Sequence, residues 1–129
     1  MPNINSGIKS DSQLLNLKEM SLSDVKKDIL QLLVSGEEIV AAFKTVRDQV
    51  LFTNKRIFVI NTQGIVGKKV SYFSYPYSKI QYYGIETTGL LDIDSELIAT
   101  FSNGTVLHFD FKSKVDIKKI NALISSYII

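Results

Sequence analysis

The spacing of hydrophobic residues changes near Gly36, from a helical period before it to a strand-like period after it. Before Gly36, a helical pattern begins at Asp11 and is clearest over 22–34, where Ser21 is a candidate N-cap and Gly36 a stop. We therefore expect a polar tail and helical extension over 1–35, followed by the main domain over 36–129. The apolar stripe of the 22–34 helix would pack on its own domain or, alternatively, contact a partner or a membrane surface.

Seven β-strands are predicted between Glu38 and Phe111, because apolar and polar residues alternate there and β-branched and aromatic side chains are frequent. The predicted strands cover 38–45, 48–53, 56–62, 68–77, 80–87, 97–101 and 105–111. The Asn103-Gly104 pair predicts a hairpin between the last two strands. In the last strand, alternation places Leu107, Phe109 and Phe111 on the core face and His108 on the outer face.

A second helix is predicted after Asp116, a candidate cap. Its apolar stripe contains Ile117, Ile120, Leu123, Ile124 and Tyr127. Seven short strands followed by one amphipathic helix indicate an antiparallel meander that curls into two sheets or a partial barrel. The helix would cover an open end, since its stripe is the unassigned apolar surface nearest in sequence.

Composition excludes several kinds of site. The 129 residues include no cysteine, so disulfides, zinc–thiolate sites and thiol nucleophiles are absent. A net charge of +2 is too balanced to predict nucleic-acid binding. The N-terminus has no signal-peptide pattern and no stretch reaches the ~18 apolar residues of a membrane span. We expect a cytoplasmic protein that binds no nucleic acid.

Catalytic motifs are also missing. There is no Gly-x-Ser-x-Gly elbow and no Walker spacing in the glycines, and the sequence offers His108 no catalytic partner. Asp92, Asp94 and Glu96 alternate, so a strand would place them on one face, where carboxylates bind hard cations. The pattern lacks the spacing of a calcium loop, and a solvent-facing strand is the favoured interpretation. We expect a non-enzymatic protein with no cofactor and no metal site.

Four basic residues flank two strand connections that lie at the same end of an up-and-down meander: Lys44, Arg47, Lys68 and Lys69. Convergence there would form a candidate anion-binding site. The alternative is solvated loop charge, since Asp48 adjoins Arg47.

Aromatic residues cluster in the fourth and fifth predicted strands, and alternation sends half of them to the surface. Exposed aromatic side chains often mark protein contacts. The candidate self-association residues are Tyr72, Tyr75, Tyr77 and Tyr82. Stacking on single-stranded nucleic acid is a weaker alternative because no basic groove accompanies them.

Five segments in order resemble the bacterial pleckstrin-homology-like (PH-like) family, formerly a domain of unknown function. They are KTVRD at 44–48, LFTNKR at 51–56, QGIVGKK at 63–69, SYPYSKI at 74–80, and IETTG at 85–89 with LDIDSEL at 91–97. The resemblance implies a split barrel of seven antiparallel strands in two orthogonal sheets with a C-terminal helix. It also implies assembly into closed homo-oligomeric rings, with no associated enzymatic activity or settled ligand.

Eukaryotic lipid-binding relatives carry a basic motif in the first loop, which Lys44 and Arg47 only approximate, and a tryptophan, which this chain lacks. Inositol-lipid recognition is therefore not implied. The leading hypothesis is a non-enzymatic module that self-associates, with an unknown protein partner also possible. The alternative is a weak binding module for anionic lipid head groups or phosphate-bearing ligands.

Overall fold

The computed structural model describes residues 13–64, 69–87, 94–112 and 115–128, without the side chains of Gln13 and Leu15. Its strands are β1 Gln13–Glu19, β2 Ile39–Lys44, β3 Gln49–Thr53, β4 Arg56–Gln63, β5 Lys69–Pro76, β6 Ile80–Thr87, β7 Ser95–Phe101 and β8 Val106–Phe111. The helices are α1 Lys27–Leu30 and α2 Ile117–Ile128, with 3₁₀ turns at Leu22–Asp24 and Tyr77–Lys79. The seven predicted strands and the C-terminal helix are confirmed.

The strands form one sheet that does not close into a barrel. Their order is β5-β4-β3-β2-β1-β8-β7-β6, so β5 and β6 are the two edges. Every neighbouring pair is antiparallel except β1 and β8, which run parallel. The sheet curls around the main core. The predicted PH-like fold is confirmed, with one more strand than expected and with one continuous sheet in place of the two predicted sheets.

The main core lies between the sheet and α2. Phenylalanine rings from β2, β3 and β8 meet there, with Phe43 and Phe111 centroids 4.8 Å apart. Ile117, Ile120 and Ile124 of α2 are buried against this core, so the helix covers the space that the open sheet would leave exposed. Burying side chains of this size contributes about 1.5–3 kcal/mol each, an upper estimate for any one residue.

A second apolar cluster covers the outer face of β2–β4. It contains Met20, Val25, Ile29, Ala42, Leu51, Phe58 and Ile60. The segment that carries α1 supplies Val25 and Ile29 to this cluster. Strands β3 and β4 are consequently buried on both faces over most of their length.

Residues 13–19 form a strand, and the prediction of helix from Asp11 is wrong for them. Leu14 opposes Phe109 and Leu17 opposes Phe111, so β1 carries one residue more than β8 in this interval. Asn16 occupies the left-handed region at φ 58°, as expected for a bulge. The extra residue turns both leucines into the core, although they are an odd number of positions apart.

The helix predicted over 22–34 is much shorter than expected. Only the 3₁₀ turn Leu22–Asp24 and the single turn of α1 are helical. Ser21 does act as the predicted N-cap, where its hydroxyl accepts from the Ser23 N–H at 3.4 Å. Val25 and Ile29 anchor the segment to the sheet, whereas Leu22, Leu30 and Leu32 stay exposed.

An ion pair fixes the end of this segment to the β3–β4 hairpin. The Arg56 guanidinium donates to both Glu37 oxygens, at 2.9 Å and 2.8 Å, and Thr53 Oγ1 donates to one of them at 2.6 Å. Burial alone would raise the pKa of Glu37, but hydrogen bonds from Arg56, Thr53 and the Val34 N–H, with the Arg56 charge, lower it from 4.5 to about 2. We call this contact the Glu37–Arg56 latch.

Candidate functional site

Hydrogen bonds to one threonine hold the β2–β3 turn together. Thr45 Oγ1 accepts from the backbone N–H groups of Arg47 and Asp48 at 3.2 Å and 2.9 Å. The Thr45 N–H in turn donates to the Asp48 carbonyl at 2.8 Å. This side-chain-to-backbone bonding is typical of serine and threonine in tight turns, and it fixes where the turn presents its side chains.

A groove of about 810 Å³ lies beside this turn, between it and β1. Its lining residues are Asn16, Lys18, Lys44, Thr45, Val46, Arg47 and Asp48. Lys18 and Lys44 are direct partners across the β1–β2 ladder, and both are exposed. Directly opposed residues on one face have Cβ atoms about 5 Å apart, so two like charges are held close together.

The carboxylate in this groove is engaged elsewhere. Asp48 is buried, and it accepts from Asn61 Nδ2 at 3.2 Å and from the Thr62 N–H at 3.0 Å. Arg47 donates to the Gly64 carbonyl, which brings the β2–β3 turn next to the end of β4. Within the described ranges, Lys18, Lys44 and Arg47 form no ion pair with a carboxylate.

The four cations predicted to converge are placed differently. Lys44 and Arg47 line the groove, whereas Lys69 is exposed at the start of β5, opposite Gln63, and does not line it. Lys68 lies outside the described residues. The sequence interpretation missed Lys18, which becomes visible once β1 is recognised as a strand, because alternation turns Lys18 outward when Leu17 points inward.

The four candidate self-association tyrosines differ in position and in solvent exposure. Tyr72 and Tyr82 are 42% and 62% exposed, on the two edge strands β5 and β6. Tyr75 is partly buried against Phe101, with centroids 5.5 Å apart.

Tyr77 is fully buried, so the structure removes it from the surface on which alternation had placed it. The reason is that the 3₁₀ turn Tyr77–Lys79 ends the alternation and turns the ring inward. Its hydroxyl donates to the Thr53 carbonyl at 2.7 Å, and its ring stacks on Tyr127. Burial, reinforced by the neighbouring Tyr127 and Glu37, raises the pKa of Tyr77.

The outer face of β5 continues onto the α1 segment. Tyr72 stacks on Phe58 at 6.2 Å, and the Arg56 guanidinium lies 4.6 Å above the same Phe58 ring. Arg56 also donates to Ser74 Oγ at 2.7 Å and to the Leu32 carbonyl at 3.1 Å. The exposed apolar side chains on the outer face of β5 therefore form a surface beside this segment, the β5 rim, which consists of Val70 and Tyr72.

The predicted acidic row is only partly described. Asp92 lies outside the described residues, whereas Asp94 is 3.5 Å from Lys112 Nζ and Glu96 is 2.9 Å from His108 Nε2. His108 alternates with buried Leu107 and Phe109, as predicted. In the part of the chain that the structure describes, no three His, Cys, Asp or Glu side chains are arranged to hold a metal ion.

Comparisons with known proteins agree with the fold described above. The family profile described as "Bacterial PH domain" matches residues 9–128. The chain is 42% identical over 87 residues to the uncharacterised protein YjqA of Bacillus subtilis, covering 67% of this chain and 70% of that one. It is 30% identical over 114 residues to the uncharacterised protein YozO of the same organism, covering 88% and 98%.

Among solved structures, a DUF1696-family protein with a pleckstrin-homology domain from Shewanella loihica matches with a TM-score of 0.74 and 33% identity. That match covers 89% of this chain and 99% of the other. The chain therefore belongs to the bacterial PH domain family. Among the described helices, none has both the length and the apolar character needed to cross a membrane.

Proposed function

We propose that this chain is a cytoplasmic, non-enzymatic interaction module whose partner is a second copy of itself. The observation that carries the proposal is the pair of open edges in one sheet. In the described part of the chain, β5 pairs only with β4 and β6 only with β7. Unpaired edges present backbone donors and acceptors that favour pairing with another strand.

The side chains on the two edges support pairing with another protein chain. The outward side of β5 carries the exposed Val70 and Tyr72, and that of β6 carries Tyr82. Charged or proline residues that discourage edge pairing occur in β5 only at its ends, Lys69 and Pro76. Exposed apolar and aromatic side chains beside an open edge are typical of interaction surfaces.

Gly84 lies in the middle of β6 and is exposed. A Cβ atom built there would meet nothing within 4 Å, so packing within the chain does not require glycine at this position. Glycine inside a strand often marks a place where another backbone approaches closely. We infer that the β5 edge of one copy approaches β6 of the next at this point.

Because β5 and β6 are different surfaces, their pairing is heterologous, and repetition around a rotation axis closes a ring. Such a ring leaves no copy with an unpaired edge. Strand pairing would then supply backbone hydrogen bonds, and the β5 rim would supply apolar burial.

Native mass spectrometry of the unmodified chain tests this function, and we expect a homo-oligomer at tens of micromolar. We expect Tyr72→Lys to yield monomers, because the added charge would have to be buried in the β5 rim. Leu22→Lys is the matched control, since Leu22 is 47% exposed and lies beside β2, which two strands separate from β5 in the sheet. A monomeric unmodified chain, or equal loss of assembly in both variants, would contradict the proposal.

A further inference from the structure

We propose that the groove beside the β2–β3 turn binds a phosphate monoester group through Lys18, Lys44 and Arg47. This site is separate from the edges proposed for self-association and does not rest on that function. Three cationic side chains line it, against the single carboxylate of Asp48, which is held by Asn61 and Thr62.

The register between β1 and β2 forces the two lysines together. Lys18 opposes Lys44 directly, an arrangement that is destabilising for like charges when nothing lies between them. An anion between the two ammonium groups would convert this repulsion into two charge-assisted contacts. The bulge at Asn16 lies just before Lys18 and also lines the groove, so β1 is shaped locally where it meets the turn.

Arg47 is positioned to provide a third contact. Its guanidinium donates to the Gly64 carbonyl, which fixes the side chain while further N–H donors remain. Thr45 Oγ1 accepts two backbone N–H groups and keeps its own hydrogen to donate. Several donors around one concave space suit the oxygens of a doubly charged monoester better than a singly charged diester.

The groove volume of about 810 Å³ exceeds that of a phosphate group and leaves room for the molecule that carries it. That carrier is either a lipid or a soluble phosphate ester. Val46 lies at the tip of the turn, beside the groove, and its relative exposure of 102% means that it makes no packing contact of its own. A membrane source would bring Val46 to the lipid surface, whereas a soluble source would leave it in water.

The test compares two double variants of equal charge. Lys18→Gln with Lys44→Gln removes two groove cations. Lys55→Gln with Lys79→Gln removes two exposed cations near the opposite end of the sheet, where Arg56 pairs with Pro76. All four side chains are exposed, so both variants should fold, and circular dichroism checks this.

Binding is measured by titration calorimetry with inorganic phosphate and by co-sedimentation with phosphatidylcholine vesicles that contain phosphatidic acid or, for comparison, phosphatidylglycerol. At ~0.1 M salt, where distant charges are screened beyond about 10 Å, we expect the groove variant to bind about 25-fold more weakly than the unmodified chain. This corresponds to about 5-fold for each cation. The control variant should bind like the unmodified chain, and phosphatidic acid should bind more tightly than phosphatidylglycerol.

Binding to both probes supports a site that recognises the phosphate group alone. Binding to phosphatidic acid vesicles alone, weakened by Val46→Ser, supports a lipid source for the same site. Equal weakening in the two double variants, equal binding of the two anionic lipids, or no binding to either probe would overturn the proposal. The inorganic phosphate titration does not depend on avidity, and the groove variant should keep the oligomeric mass of the unmodified chain. The phosphate-site proposal and the self-association proposal can therefore be contradicted independently.

Discussion

The Glu37–Arg56 latch shows how one buried carboxylate holds the segment before β2 in place. Its oxygens accept from Arg56, Thr53 and the Val34 N–H, so the charge is compensated on several sides. The side chain of Glu37 is fully buried, whereas that of Arg56 keeps 19% exposure. Removing one partner of such a pair leaves the other charge uncompensated, which typically costs more than the pair contributes.

We expect Glu37→Gln to lower the free energy of unfolding at neutral pH by about 3 kcal/mol, as measured by urea denaturation. A folded pKa near 2 against an ordinary 4.5 means that the stability from Glu37 is present above 4.5 and is lost as the pH falls towards 2. The unmodified chain should therefore lose more stability in this pH window than the variant.

Glu38→Gln is the matched control for the latch, because Glu38 is adjacent and exposed. This control should keep the neutral-pH stability of the unmodified chain within about 0.5 kcal/mol. If the free energy of unfolding of Glu37→Gln changed with pH in the same way as that of the unmodified chain, the result would contradict a stabilising role for the ionised Glu37 carboxylate.

At the scale of elements, β1 joins the two halves of the sheet by pairing with β2 on one side and β8 on the other. Its bulge at Asn16 makes Leu14 and Leu17 face the same core. Asparagine tolerates the left-handed conformation that this bulge requires, whereas a β-branched side chain at φ 58° is strongly disfavoured.

We expect Asn16→Val to destabilise the protein by about 1–2 kcal/mol, because the backbone at this position must remain left-handed. Asn16→Gly is the matched control and should stay within about 1 kcal/mol of the unmodified chain, since glycine adopts this conformation without steric cost. Urea denaturation measures both variants. Equal stability of the two would show that the bulge is not needed in the folded protein.

The sequence predicted β2 to β8 well because alternation there is regular and the Asn103-Gly104 turn is a strong local signal, with Gly104 at φ 90°. It failed for β1 because a bulge moves Leu14 and Leu17 onto one face, which imitates the spacing of a helix. The helix prediction failed for most of 22–34 because this segment is held by contacts with strands distant in sequence. These contacts are the packing of Val25 and Ile29 on the outer face and the Glu37–Arg56 latch.

Dependence on strands that are distant in sequence also limited the prediction of the residues that line the groove. Lys44 and Arg47 were found because consecutive strands of a meander place alternate turns at one end. Lys18 was missed because its position depends on the pairing of β1 with β2. Tyr77 was assigned to the surface because the 3₁₀ turn that directs it inward has no alternation signal.

At the scale of the whole molecule, the sheet formed by the described strands has two open edges on different surfaces and a helix that covers the core between its halves. We propose that a domain of this shape completes its hydrogen bonding by joining another copy edge to edge. The proposed phosphate groove lies at the β2–β3 turn, and its lining residues belong to β1, β2 and this turn and not to β5 or β6. Assembly and ligand binding are therefore predicted to be separable properties.

The most direct test of edge-to-edge assembly mixes two variants that block opposite edges and measures the mixture by native mass spectrometry. Tyr72→Lys blocks the β5 rim, and Gly84→Lys blocks β6, where the added side chain meets open space within its own chain. We expect each variant alone to be monomeric and the equimolar mixture to form a heterodimer through the one intact edge of each copy. A mixture that stays monomeric while the unmodified chain assembles, or a Gly84→Lys variant that forms homodimers, would contradict heterologous pairing of β5 with β6.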